Sequence, residues 1–232
     1  HKEFHLCTGD PVLMGPEKVR VIGHTNFDIA DQMSDMAMEA IHARASTEMK
    51  QQDIPLRVKN AFDPEHPGTL ITRDYVSPTP KVEMISGRED LVAVEVFDPD
   101  MVGRAGYDRR LLSAFDEAGL SYIAKNTNAN TITHYLPDSA PVRDTCLGRI
   151  RDALPEAVIR TEPVAVISVL GTHLPFPEVI SVAAGALAGA GVDILGVNQA
   201  TRRVSVQFIV EREHASAGQL ALHRALVEES AT

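Results

Sequence analysis

The sequence predicts an α+β chain: two ferredoxin-like βαββαβ repeats standing behind a separate leading piece. Three observations predict it. The chain matches itself at one offset, since Ala118-Gly119-Leu120 and Ala190-Gly191-Val192 lie 72 residues apart. The same spacing pairs Val94 with Val166, Ala114 with Ala186, Asn126 with Asn198, Ile132 with Val204, Leu136 with Phe208, Ile150 with Leu222 and Leu154 with Leu226. A constant offset across a whole unit marks an internal repeat. Within each repeat the apolar pattern switches between strand and helix periods in the same order. The residues before Ser77 do not share the period, and Ser77-Pro78-Thr79-Pro80 reads as a short linker.

The leading piece, residues 1–76, offers helices at Asp28–Met38 and Ala40–Gln51 and a strand at Ile54–Asn60. The turn-forming stretch Phe62–Gly68 then leads into a strand at Thr69–Thr72. The first repeat, residues 81–160, opens with the β-branched run Leu91–Phe97. Its first helix puts Tyr107, Leu111, Phe115 and Ala118 on one face. Gly119 follows where a positive φ is wanted. Val142, Cys146, Ile150 and Leu154 mark the closing helix, and Ala157–Arg160 a last strand. The second repeat, residues 161–232, repeats the order with Val164–Leu170, then Val179, Ala183, Ala186, Leu187 and Ala190, then Gly191. Val204, Val206, Phe208 and Val210 alternate cleanly, and Leu222 and Leu226 mark its closing helix. Its final strand is expected from Lys81–Ser86, which interlocks the repeats.

Composition excludes several partners. The 232 residues are 44% hydrophobic and carry a formal net charge of −10. An acidic surface repels phosphate backbones and anionic headgroups, so neither nucleic acid nor membrane is expected as a partner. The run Val179–Leu195 is broken by Gly185, Gly189, Gly191 and Asp193 and is no membrane span. Cys7 and Cys146, far apart in sequence, read as incidental thiols of a reduced, cytoplasmic protein. The start, His1-Lys2-Glu3-Phe4, has neither an initiator Met nor a signal peptide's apolar region, as expected of a piece of a longer chain. His1, His5, His24 and His42 lack a metal-ligand spacing, and no metal site is expected.

Motifs in the leading piece carry a family resemblance. Thr8-Gly9-Asp10-Pro11 resembles the T-x-D-P element near the nucleotide pocket of aspartate kinases, and Met38-Glu39-Ala40-Ile41-His42 resembles their G-x-K-V-L-H helix start. Ile54–Phe62, then Pro67-Gly68-Thr69-Leu70-Ile71, is similar to the segment ending their catalytic domain. His1–Leu6 and Met38–His42 look closest to the branch associated with ectoine synthesis. Two positions depart from the common pattern: Lys2–His5 replaces an Asp-x-Asp-Gly stretch, and Glu39 replaces a lysine that faces ATP phosphates in relatives. The resemblance implies the C-terminal piece of an α/β amino-acid-kinase domain followed by tandem ACT domains. It implies ATP- and Mg²⁺-dependent phosphorylation of the β-carboxylate of aspartate by the full-length enzyme. Thr8, Asp10 and Pro11 are then a remnant of the nucleotide site. The chain alone is expected to be inactive, with no tightly bound cofactor.

The resemblance also implies where an amino-acid effector, lysine or threonine, would sit: where the first strand of a repeat meets its first helix. A helix start offers free N–H groups to a carboxylate. The first repeat supplies Met101, Gly103, Arg104, Ala105, Gly106 and Tyr107, with Asn126, Thr127 and Asn128 leaving the next strand. The second supplies Glu178 and Val179 at its helix start, with Asn198 and Gln199 as the counterparts. Ile123 stands where lysine-inhibited relatives often carry an aspartate. The same residues have structural readings: glycines for tight turns, Arg104 as a solvated charge, Asn126 and Asn198 as turn formers. A stand-alone amino-acid sensor and a purely structural dimerisation module remain open alternatives. Exposed edge strands predict a homodimer.

Overall fold

The computed structural model describes residues 5–36 and 43–229. Contacts divide these into two compact units. Unit 1 combines residues up to Arg88 with Val166–Val210 and the segment from His214; unit 2 holds Glu89–Ala165 and Glu211–Glu213.

In unit 1 the leading piece forms α1 (Pro11–Met14), β1 (His24–Asn26), α2 (Phe27–Asp35), α3 (Ala43–Gln52), β2 (Leu56–Val58) and β3 (Thr69–Thr72). The strands order as β1-β3-β2, parallel between β1 and β3 and antiparallel between β3 and β2. Phe27, Ala30 and Ile71 are buried there against Met49, Leu56 and Val58. The strand expected at Ile54–Asn60 shortens to Leu56–Val58, because Asn60 turns the chain by accepting from the Phe62 amide at 2.9 Å. The Met38–His42 motif, both inner ends of the two expected helices, and His1–Phe4 lie outside the described residues.

The rest of unit 1 comprises the later part of β7 (Val158–Leu170), α6 (Phe176–Gly189), β8 (Gly196–Gln199), β9 (Ser205–Glu211) and α7 (Ala215–His223), which ends in a π-helical turn, Arg224–Glu228. The order β8-β9-β7 continues into the opening residues of β4 (Met84–Phe97). There Lys81 bridges His173, and the Glu83 amide donates to the Leu170 carbonyl at 2.8 Å. One core joins both parts of the unit: Leu6, Ile22, Ile29, Met33 and Met84 pack with Leu170.

Unit 2 holds the later part of β4, α4 (Tyr107–Glu117), β5 (Ala124–Thr127), β6 (Thr131–Pro137), α5 (Ala140–Ala153) and the start of β7. β4 and β5 flank β6, both antiparallel to it. Its core gathers Val92, Val94, Val96, Leu111, Phe115, Ile132, Leu136, Cys146, Ile150 and Leu154. Gly119 and Gly191 end their helices at φ 68° and 70°.

The repeat offset is not constant. β5 and β8 begin 72 residues apart, at Ala124 and Gly196, but β6 and β9 begin 74 apart, at Thr131 and Ser205. Thr127 pairs with Ile132, whereas Gln199 pairs with Val206, so the second hairpin loop is two residues longer. Ile132 therefore corresponds to Val206 and Leu136 to Val210, correcting the pairings with Val204 and Phe208. The longer loop turns through Arg203 at φ 58°, whose guanidinium lies 5.0 Å from the centre of the Phe176 ring. No helix among the described residues is long and apolar enough to cross a membrane.

Candidate functional site

The loop Asp98–Tyr107 of unit 2 is held by one buried carboxylate. Asp98 Oδ1 accepts from the Asp100 amide at 2.9 Å, capping the 3₁₀ turn Pro99–Met101. Its Oδ2 accepts from the Tyr107 hydroxyl at 2.8 Å. Both residues are buried, and burial with the adjacent Asp98 charge pushes the Tyr107 hydroxyl pKa well up. Gly103 and Gly106 adopt φ 74° and 79°, and α4 starts without a side-chain cap. A Cβ at either glycine would meet nothing within 4 Å, so these glycines serve the backbone conformation and not a tight contact.

The other expected residues divide. Met101 is buried in the unit 2 core, while Arg104 and Ala105 are exposed, with Arg104 3.8 Å from Asp100 in a surface ion pair. Asn128 is the turn former: its Oδ1 accepts from the Thr131 amide at 2.9 Å and the Asn130 amide at 3.2 Å. Asn126 and Thr127 sit inside β5. In unit 1 Asn198 is no turn former either, since its Nδ2 donates across the hairpin to Gln207 at 3.2 Å. Gln199 ends β8, exposed.

Thr8, Asp10 and Pro11 are consumed by local structure. Asp10 caps α1, accepting from the Val12 amide at 2.8 Å, and Pro11 is the first helical residue. The Thr8 hydroxyl is buried, 3.1 Å from His223 Nε2, and accepts from the Arg20 amide at 3.2 Å. His223 Nδ1 in turn lies 2.9 Å from Glu228 Oε1. The π-helical turn brings Glu228, five residues on, back over His223, where an α-helix would swing it aside. Thr8 and Asp10 thus spend these hydrogen bonds within the chain.

Thr8 also lines a cavity of about 780 Å³ inside unit 1. Its wall gathers Arg20, Gly23, His24 and Tyr75 from the leading piece, Lys81 and Glu83 from the stretch that follows the linker, and Glu178, Val179 and Val182 from α6. Of the effector candidates, Glu178 and Val179 lie on this wall. His24 stacks on Tyr75 with ring centres 3.8 Å apart, and its Nε2 lies 2.9 Å from Thr72 Oγ1. Burial lowers the His24 pKa, partly opposed by the Glu83 charge. Burial and the same charge raise that of Tyr75. No sequence pattern pointed to Arg20, Tyr75 or Glu83, because the segments that carry them meet only in the fold.

Comparison with known proteins comes down on one family, although no family model matches the chain. The chain is 42% identical to aspartate kinase Ask_Ect of Stutzerimonas stutzeri over 228 residues, 98% of this chain and 48% of that protein. Its structure superposes on aspartate kinase of Clostridium acetobutylicum with a TM-score of 0.88 at 19% identity, covering 97% of this chain and 52% of the other. E. coli aspartokinase III, solved with lysine and aspartate, gives 0.76 at 17% identity, with coverages of 95% and 49%. The chain spans about half the length of these relatives. From end to end, the chain is a relative of the C-terminal half of the aspartate kinases and has their tandem ACT fold.

Proposed function

We propose that the chain is the regulatory half of an aspartate kinase. Joined to a catalytic half, it serves an enzyme that transfers a phosphoryl group from ATP, with Mg²⁺, to the β-carboxylate of L-aspartate. The observation that carries this reading is the match to Ask_Ect over 98% of the chain, kinase tail and repeats together. A free-standing sensor has no use for that tail. The degree of identity favours a kinase serving ectoine synthesis, set against 22–27% for the plant and bifunctional relatives.

Regulation fits the same reading. Residues 1–76 are the kinase tail, and the two ACT repeats begin at 81 and 161. The strand opening at Lys81 belongs with the second repeat, whose β7 it flanks. An effector, lysine or threonine, is read at Gly103–Tyr107, where α4 begins uncapped, and the repeats pair in a homodimer. Lysine accompanies E. coli aspartokinase III in its solved complex, which supports amino-acid sensing in this fold.

The test is an assay of the full-length enzyme for aspartate-dependent ATP consumption, with and without each amino acid. Activity in the whole enzyme and none in the 232-residue chain is the expected result. ATP consumption indifferent to aspartate would overturn the reading. Gly106→Val, which strains the loop at positive φ, is expected to abolish any effector response while leaving basal turnover intact.

A further inference from the structure

The cavity of unit 1 has on its wall a charge that its neighbours do not neutralise. Glu83 is 4% exposed. Its Oε2 accepts from the Thr25 hydroxyl at 3.1 Å, and its Oε1 from the Thr172 hydroxyl at 2.5 Å and the Thr172 amide at 3.4 Å. All three donors are neutral. Among the described residues no lysine or arginine makes an ion pair with Glu83. His24 is near enough to feel the charge, although burial lowers the pKa of its imidazole. A cation beside a carboxylate largely withdrawn from water is attracted more strongly than one in bulk solvent.

The space beside it suits an organic cation. Val82, Val179, Val182 and Leu226 give the wall an apolar side, and Arg20 and Lys81 add exposed positive charge. A bare divalent ion needs six or more oxygens at close range. Here about 780 Å³ surrounds one buried carboxylate, so an ion is the poorer fit. We propose that this cavity is a binding site for a free α-amino acid, its ammonium on Glu83 and its carboxylate towards Arg20 and Lys81. The site lies in unit 1, apart from the Gly103–Tyr107 loop of unit 2, and stands whether or not the chain serves an aspartate kinase.

The experiment is a titration of the full chain with L-lysine and L-threonine, followed by amide chemical shifts and calorimetry, with cadaverine as the amine lacking a carboxylate. Saturable shifts at Gly23, Tyr75, Glu83 and Val179 are expected for at least one amino acid, with cadaverine at least tenfold weaker. Glu83→Gln keeps a hydrogen-bonding group of the same shape for Thr25 and Thr172, and is expected to weaken binding at least tenfold. Val182→Phe narrows the cavity from a 37% exposed position and tests it without touching Glu83. No binding, binding indifferent to both variants, equal binding of cadaverine, or shifts confined to Gly103–Tyr107 would each overturn the proposal. The last outcome would leave the regulatory reading standing.

Discussion

Two buried side chains of unit 2 make contrasting demands on their surroundings. Asp98 is fully engaged, and Tyr107→Phe takes away the 2.8 Å donor while leaving the carboxylate buried. The loss is expected to be about 1–3 kcal/mol in urea unfolding. His134 is 0% exposed with neither ring nitrogen hydrogen-bonded, set edge-on to Phe115 and Tyr122. Burial, reinforced by Lys125 and opposed by Asp108, lowers its pKa from 6.5 to about 4. The unfolded chain therefore binds the proton first. Stability is fully present above pH 6.5 and is lost as the pH falls towards 4. The loss reaches about 3 kcal/mol in all. His134→Leu is expected to flatten that stretch of the stability-pH curve, measured by denaturant midpoints. At this scale the sequence was legible where one residue answers to its own backbone, as at Gly119 and Gly191. It was not legible at Glu83, whose importance arises only when Thr25, Thr172 and a cavity close around it.

Helices and strands followed the periodicity because each has one face to bury. Tyr107, Leu111 and Phe115 of α4 are buried as the 3.6-residue spacing required, as are Val179, Ala183 and Leu187 of α6. The repeat itself was legible, but its two-residue slip was not. Alternation in β9 reads equally well shifted by two, so only strand pairing could locate the longer loop. The two helix-ending glycines provide a matched test. A Cβ at Gly119 or Gly191 would meet nothing within 4 Å, so substitution by alanine carries the backbone cost alone. Each change is expected to lower stability by about 1 kcal/mol, equally within error, in thermal or denaturant unfolding.

Across the molecule, the leading piece and the second repeat share one compact unit, which the linker-like Ser77–Pro80 had suggested they would not. Ser77 is buried, and its amide donates to Thr172 Oγ1 at 2.9 Å, so this stretch is fixed in place. Thr8→Val removes the hydroxyl facing His223 Nε2 and the acceptor for the Arg20 amide. Hydrogen exchange is expected to quicken along 166–170 and 205–210 of unit 1, with α4 and α5 of unit 2 unchanged. Uniform quickening in both units would contradict the division. The same division sets an order of events during synthesis. Unit 2 is almost one continuous stretch, whereas the core around Ile29, Met33 and Met84 waits for Leu170. At about 5–20 residues per second, that is a delay of several seconds with apolar surface uncovered. Chaperone dependence of the newborn chain should therefore fall on the segment that carries Ile29, Met33 and Met84, and ease only when α7 has left the ribosome.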